Sequence, residues 1–295
     1  VRHGIRSWGP GLLLVAPSIV AVAVFVYGLI GSTVNLSLTD RHSARPATRH
    51  VGFENYVNLF DDDRFLHSLR NLAVLTVVFV VGTIFFGLLW ALLLEKGVSG
   101  EGIFRSVYLF PMAVSFVASG VVWRWLLNSA QGENAGGLNA LFGILGVDFL
   151  QNQWWSNPTW GMAAMALPAI WQLSGYIMAL FLAGFRGIPG ELREAARIDG
   201  ASEFQLYRHV IFPQLSPVAL SALIIVGHMS MKMFDLIMAV SGAQYVTEVP
   251  AVYMWQTLLT NDYAKAAAIA IVLLVIVAVL VIPYLVQNAR AERAR

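Results

Sequence analysis

Cysteine is absent from this chain, which excludes disulfides, thiolate metal sites and a cysteine nucleophile. Charge is scarce: only 12% of residues are Asp, Glu, Lys or Arg, against about a quarter in ordinary soluble domains. The phosphate-cradling pattern G-x-x-x-x-G-K-[ST] does not occur, since the three lysines, Lys96, Lys232 and Lys265, follow Glu95, Met231 and Ala264. No H-E-x-x-H zinc pattern is present and no His and acid pair stands out, so neither metal nor hydrolytic chemistry has a sequence basis. A net charge of +2 says nothing specific about nucleic acid.

What the chain has instead is apolar length. Hydrophobic residues make up 58% and the mean hydropathy is +0.68. A helix needs roughly 20 apolar residues to cross the hydrocarbon core, and six stretches qualify, at about 11–31, 72–94, 106–127, 160–184, 218–240 and 263–286. The expected fold is an all-α membrane protein with six transmembrane helices in a single domain over 1–295. The first stretch is too long for a signal peptide and lacks a small-residue cleavage site, so it reads as a retained span.

Lys and Arg placement sets the expected orientation, because positive charge near span ends resists translocation. With the amino terminus inside, Arg2, Arg6, Lys96, Arg105, Arg186, Arg193, Arg197, Arg208, Arg290, Arg293 and Arg295 all fall inside, while the outer loops 128–159 and 241–262 carry no Lys or Arg. The first outer loop, 32–70, is the exception, with Arg41, Arg45, Arg49, Arg64 and Arg70, and is long enough to cross despite them. Both termini are therefore expected in the cytoplasm. Trp8 in the basic amino-terminal arm, and Trp154 and Trp155 at the end of loop 128–159, sit where interfacial aromatics are expected. Phe53, Tyr56, Val57 and Phe60 recur at helical spacing and predict a short amphipathic helix along the outer surface.

The polar segment 185–217 differs in kind from its flanks. Pro189 suits the first position of a helix, and Glu191 and Glu194 place negative charge by the positive end of its dipole. A first short helix is predicted from about 189 to 198. Gly200 supplies the left-handed residue that ends many helices, and Ser202 with Gln205 matches a capping box that opens a second helix. Pro213 and then Pro217 are expected to limit that second helix. Glu194, Ala195 and Ala196 keep one surface small, while Phe204 and Tyr207 project bulk. Two short helices in an L would make a plug shaped for a cleft.

The run EAARIDGA at 194–201, continued by Phe204 and closing on Val210, Ile211, Phe212 and Pro213, resembles the EAA loop of the membrane subunits of binding-protein-dependent ABC importers. The resemblance extends over nearly the whole chain to the carbohydrate branch. VGFENYVNLF, FRSVYLFPMAVSFVASGVVWRWLLN and FDLIMAVSG are similar to its first-permease type, and MALFLAGFRGIP and KMFDLIMAVSG are most similar to glucose and mannose permeases, with alpha-glucoside permeases next. Ser241-Gly242 is followed by Ala243-Gln244-Tyr245, where the family often has glycines and a proline.

This resemblance implies a type I importer transmembrane domain and a subunit that is not itself an enzyme. It implies a second permease subunit, usually a different chain, two ATPase subunits that bind ATP and Mg, and an external sugar-binding protein; the permease binds no cofactor directly. It implies a bacterial or archaeal cytoplasmic membrane. It also implies that the EAA loop docks on an ATPase through Glu194, Ala195, Ala196, Asp199, Gly200, Phe204, Tyr207 and Pro213, with Asp199 and Gly200 shaping the turn. The expected cargo is a monosaccharide such as glucose, with an alpha-glucoside or trehalose-type disaccharide, or glycerol phosphate, as alternatives.

Charges within spans are costly and face a cavity or partner. Lys232 and Asp235, three apart, can share a helix face and are expected to form a structural ion pair; His228 lies one turn earlier. Arg124 is expected to snorkel to the outer interface. Hydroxyls and aromatic faces suited to a sugar ring come from Ser115 and Ser119 in the third stretch and Trp171, Gln172, Ser174 and Tyr176 in the fourth. An ion-coupled secondary transporter would use Lys232 and Asp235 directly, but would need no capped cytoplasmic plug, and the paired broken helices of inverted repeats are not evident.

Overall fold

The computed structural model describes residues 9–47 and 49–293. These residues are helices and connectors, with one isolated antiparallel bridge between Thr39 and His50 and no strand. Trp8, Arg2 and Arg6 of the amino-terminal arm, and Arg295, lie outside them. Among the described residues, five helices are long and apolar enough to cross a membrane, or six if one sharply bent pair counts as a span. The chain resolves into two compact units, residues up to Phe65 with Met254–Val275, and Leu66–Tyr253 with the stretch from Ile276 onward.

In the first unit, α1 (Gly9–Val22), a π-helical stretch (Ala23–Gly28) and α2 (Leu29–Ser37) run end to end. The apolar window within Leu14–Ser37 has no buried residue, as suits a helix facing lipid or another chain. Next comes α3 (Glu54–Phe60), the short helix expected from the spacing. Phe53, Val57 and Phe60 are exposed along it, whereas Tyr56 turns inward and shares a 2.6 Å hydrogen bond with Ser37. Asn55 donates through Nδ2 to the carbonyls of Ser37 and Thr39, each at 2.8 Å, which fastens α3 to the end of α2. The same unit holds the start of α4 (Asp63–Glu95), the end of α14 (Pro250–Leu259) and the first part of α15 (Tyr263–Arg293). Lys265 Nζ meets Asp62 at 2.6 Å, His42 Nδ1 meets Asp262 at 2.8 Å, and the Arg41 guanidinium lies 4.5 Å over the Tyr263 ring. Three basic residues of this charged unit are thus matched locally, which lowers the cost of holding them in one place.

The second unit carries the rest of α4, then α5 (Glu101–Leu109), a 3-10 turn (Phe110–Ala113), α6 (Phe116–Leu126), α7 (Gly137–Ile144), α8 (Gly161–Ala164), α9 (Ala166–Gly187), α10 (Gly190–Ile198), α11 (Glu203–Leu206), a π-helical stretch (Tyr207–Ile211), α12 (Phe212–Ser230) and α13 (Phe234–Val240), with the start of α14 and the end of α15. α4 has 33 residues, which at about 1.5 Å per residue is roughly 50 Å, longer than the roughly 30 Å hydrocarbon core. A helix of this length must tilt or extend past the hydrocarbon core. α9 is the most enclosed of the long helices, with Ala166, Ile170, Ile177, Phe181 and Phe185 buried.

Two apolar stretches do not form the straight spans expected. Residues 106–127 are split between two helices that meet at 98°. The chain turns where Pro111 interrupts the first helix and Val114 is extended (φ −81°, ψ 137°), and Ser115 then caps α6 by accepting from the Ala118 N–H at 3.2 Å. The freed carbonyl of Val114 accepts from Gln172 Nε2, so the break is satisfied inside the protein, as irregular backbone at membrane depth requires. The other correction concerns 218–240. The helix begins at Glu203, runs to Ser230, breaks over 231–233 and resumes as α13.

Glycine permits two of the closest helix contacts in this unit. A Cβ on Gly175 of α9 would lie 1.8 Å from the Tyr108 carbonyl oxygen of α5. One on Gly120 of α6 would lie 2.5 Å from the Ala239 Cβ of α13. Small residues at crossings let backbones approach, the principal source of helix packing in lipid. In the loop 128–159, buried Asn139 donates to the carbonyls of Asn128, Ala130 and Asn152 and accepts from the Asn152 N–H and Trp154 Nε1–H. That single side chain satisfies a loop with little regular structure.

Candidate functional site

The segment after α9 forms a two-helix turn. Pro189 stands immediately before α10, and Asp199 closes it (φ −71°, ψ 1°). Gly200 follows at φ +83°, the left-handed region where a side chain is unfavourable. The N–H of Ala201 donates to the Ala196 carbonyl at 3.0 Å, and that of Gly200 to the Arg197 carbonyl at 3.1 Å, so the open end of α10 is capped by its own turn. The predicted capping box is present: Ser202 N–H donates to Gln205 Oε1 at 2.8 Å, and Gln205 N–H to Ser202 Oγ at 3.4 Å. Arg197 and Glu203 bridge the corner at 3.0 Å, both largely exposed, so this pair adds little stability.

The second helix departs from expectation. It does not stop at Pro213; α11, the π-helical stretch and α12 form one continuous rod into the membrane, with Pro213 in the first turn of α12 and Pro217 inside it. Proline removes one backbone donor and crowds the carbonyl four residues earlier. A wide turn placed just ahead of Pro213 accommodates both effects, a recognised use of π-bulges. The corner at Gly200 is therefore continuous with a membrane helix.

Glu194, Ala195, Asp199, Gly200, Phe204 and Pro213 are exposed, while Ala196 and Tyr207 are half-buried. Leu192, Ile198 and Phe204 present apolar side chains 41%, 85% and 71% exposed around the corner. Apolar groups this open on a polar segment mark a contact surface. The side of the segment facing the protein is held by Glu95, Arg193, Arg186 and Glu101, none of them a site candidate in the sequence, and by Tyr207, which was expected to project its bulk outward and instead turns inward. Arg193 pairs with Glu95 at the end of α4 and donates to the Phe185 carbonyl at 3.1 Å, and Tyr207 donates to Glu95 Oε2 at 2.7 Å. Arg186 meets Glu101 of α5 at 2.6 Å. The available signal was a Glu at the end of a long apolar run, where negative charge opposes the helix dipole.

With this geometry in place, comparison with known proteins is decisive. Residues 83–293 match the family model described as binding-protein-dependent transport system inner membrane component. The chain belongs to that family. This permease is 38% identical to a probable ABC transporter permease protein of Pyrococcus horikoshii, over 95% of this chain and 96% of the relative. It is 34% identical to a xylose/arabinose import permease protein of Haloferax volcanii, over 90% of this chain and 84% of the relative. The crystal structure of a bacterial ABC transporter that imports the polysaccharide alginate shares its fold, with TM-score 0.78, 20% identity, and coverage of 98% of this chain and 97% of that one. The resemblance to permease subunits of carbohydrate ABC importers, and the all-α membrane fold, are borne out.

The expected substrate-pathway residues of the permease do not converge. Trp171 and Ser174 line a cavity of about 380 Å³ with Phe86, Trp90, Tyr108 and Trp123. The Trp123 and Trp171 rings lie 6.1 Å apart and those of Trp90 and Tyr108 4.7 Å. Gln172 points elsewhere, to the Val114 carbonyl, and its Oε1 is buried without a partner; buried Ser119 Oγ also has none. Ser115 is committed to capping α6, and Tyr176 is half-buried away from the cavity lining. Lys232 lies in the break between α12 and α13, and both it and Asp235 are exposed. The expected ion pair between them is not present among the described residues, because the break at 231–233 ends the shared helix face on which it depended. Arg124 is exposed in the last turn of α6, where positive charge complements the dipole. His228, four residues before Lys232, has a buried Nδ1 without a partner.

Proposed function

We propose that this permease forms half of a translocation pathway for a sugar and couples it to ATP hydrolysis on a separate subunit. The observation that carries this reading is the corner at Gly200, which exposes Leu192, Ile198 and Phe204 while its second helix continues unbroken into the membrane. A groove on an ATPase that receives these side chains would move the corner and α12 together. Glu194, Ala195, Ala196 and Asp199 would form the docking face, Gly200 the turn, and Phe204, Tyr207 and Pro213 the lever. ATP and Mg would be held by the ATPase subunits, and an external binding protein would deliver the sugar.

The substrate in this reading is a monosaccharide such as glucose. The xylose/arabinose name of the Haloferax volcanii relative favours a monosaccharide, while relatives named for alpha-glucosides and for trehalose/maltose favour the disaccharide alternative. Trp123, Trp171 and Ser174 offer a sugar ring aromatic faces and a hydroxyl, with Ser115, Ser119, Gln172, Tyr176, Lys232 and Asp235 as further pathway positions that would need rearrangement to reach it. Both termini would be cytoplasmic, and 1–295 would act as one permease domain.

The test is ATP hydrolysis by the complex purified in lipid with its co-isolated partners and binding protein, across monosaccharides, alpha-glucosides, trehalose and glycerol phosphate. Stimulation by one monosaccharide is the expected result. If no ATPase co-isolates and uptake follows an ion gradient, the importer reading fails.

A further inference from the structure

The least expected charge in the molecule is Glu95. It is the last residue of the 33-residue α4, where the helix dipole disfavours an anion. Its side chain is only 7% exposed, at the end of a helix whose preceding turns are Leu, Ala and Trp. A local rule broken without an evident local gain points to a role elsewhere. The compensation comes from two residues of the coupling segment: the Arg193 guanidinium on one carboxylate oxygen and the Tyr207 hydroxyl on the other, at 2.7 Å. Arg193 then reaches the Phe185 carbonyl at 3.1 Å, near the end of α9.

One carboxylate thus joins four elements. α4 provides Glu95, α10 provides Arg193, the π-helical stretch leading into α12 provides Tyr207, and α9 is bound through Phe185. Arg193 and Tyr207 lie on opposite sides of the Gly200 corner, so Glu95 grips both arms of the coupling segment at once. Apolar burial of Leu206 and Ile211 also holds the second arm, but the Glu95 carboxylate is the group to which both arms are hydrogen-bonded. Arg186 with Glu101 supports the same turn from its other side, but more openly, with Arg186 half exposed.

We infer that Glu95 is a positioning residue for energy coupling, whose clamp on Arg193 and Tyr207 makes α4 move with the coupling segment. This rests on the importer reading of the segment. The clamp does not touch sugar or nucleotide; it fixes how much of the motion of the corner reaches α4. A carboxylate with two directional partners suits that purpose, because it resists rotation of either arm as well as separation.

The experiment measures sugar transported per ATP hydrolysed in proteoliposomes holding the complete complex with binding protein. Glu95→Gln keeps the shape and removes the charge, Tyr207→Phe removes one hydrogen bond, and Glu95→Arg with Arg193→Glu reverses the pair. The expected result is at least a threefold fall in the ratio for Glu95→Gln, a smaller fall for Tyr207→Phe, and partial recovery in the reversed pair relative to either of its single changes. A merely structural role would lower assembled protein and leave the ratio per assembled complex unchanged. A wild-type ratio in both Glu95→Gln and Tyr207→Phe overturns the inference. Should Glu95→Gln fail to assemble, Tyr207→Phe and the reversed pair decide it by the same ratio. Failure of the importer reading looks different, because the wild-type complex itself would then show no ATP-coupled uptake.

Discussion

At Gly200 the backbone sits at φ +83°, and no atom lies within 4 Å of where a Cβ would project. Any loss on substitution therefore comes from backbone strain rather than collision, about 1–2 kcal/mol for an ordinary residue. Gly200→Val should lower sugar-stimulated ATP hydrolysis severalfold, and Gly200→Asn much less, since Asn tolerates the left-handed region. Equal activities for the two variants, measured at matched complex concentration, would show that this conformation is not what the corner needs. Residues whose role is set within one turn of chain were readable in this way: Pro189, Gly200, and Ser202 with Gln205 stand where their local chemistry put them. Glu95 was not readable, because its partners lie 98 and 112 residues further along the chain. The Lys232 and Asp235 pair failed for the reverse reason. Spacing of three implies contact only if the helix is continuous, and it is not.

Elements were legible by their apolar length, but not by their bends. Residues 106–127 have the composition of one span, and only Pro111 and the Ser115 cap hint at the 98° turn, which also needs Gln172 of another helix to satisfy the Val114 carbonyl. Conversely, Pro213 and Pro217 looked like terminators, yet the helix passes through both; the π-helical stretch makes room for Pro213, whereas Pro217 lies within α12 itself. The packing of α5 on α9 gives a direct test of how elements meet. At Gly175 a methyl group would stand 1.8 Å from the Tyr108 carbonyl oxygen, and both sides of that contact are backbone. Gly175→Ala should therefore separate the two helices and cost about 3 kcal/mol or more, the upper end for overpacking. Gly102→Ala, in α5 with nothing within 4 Å, serves as control. Thermal unfolding of the assembled complex in detergent should shift down for the first and stay unchanged or rise for the second. A common shift would mean that the close approach at Gly175 is not limiting.

For the molecule as a whole, charge asymmetry argues for one orientation. Lys96 follows α4, Arg105 lies in α5, and Arg186, Arg193, Arg197 and Arg208 lie in the coupling segment, whereas loops 128–159 and 241–262 carry no Lys or Arg and loop 32–70, with five Arg, is the exception. Positive charge near span ends resists translocation while acidic residues contribute little to orientation, so these six favour keeping the coupling side in the cytoplasm. The absence of cysteine makes this directly measurable, since any single introduced thiol is unique in the chain. Lys96 and Ile144 are both exposed, the first after α4 and the second at the end of α7 in the outer loop. In right-side-out vesicles, a membrane-impermeant maleimide should label Ile144→Cys and spare Lys96→Cys; in inverted vesicles the order should reverse. Labelling of Lys96→Cys from outside would place the Gly200 corner on the face away from ATP, and a coupling role for it could not then stand.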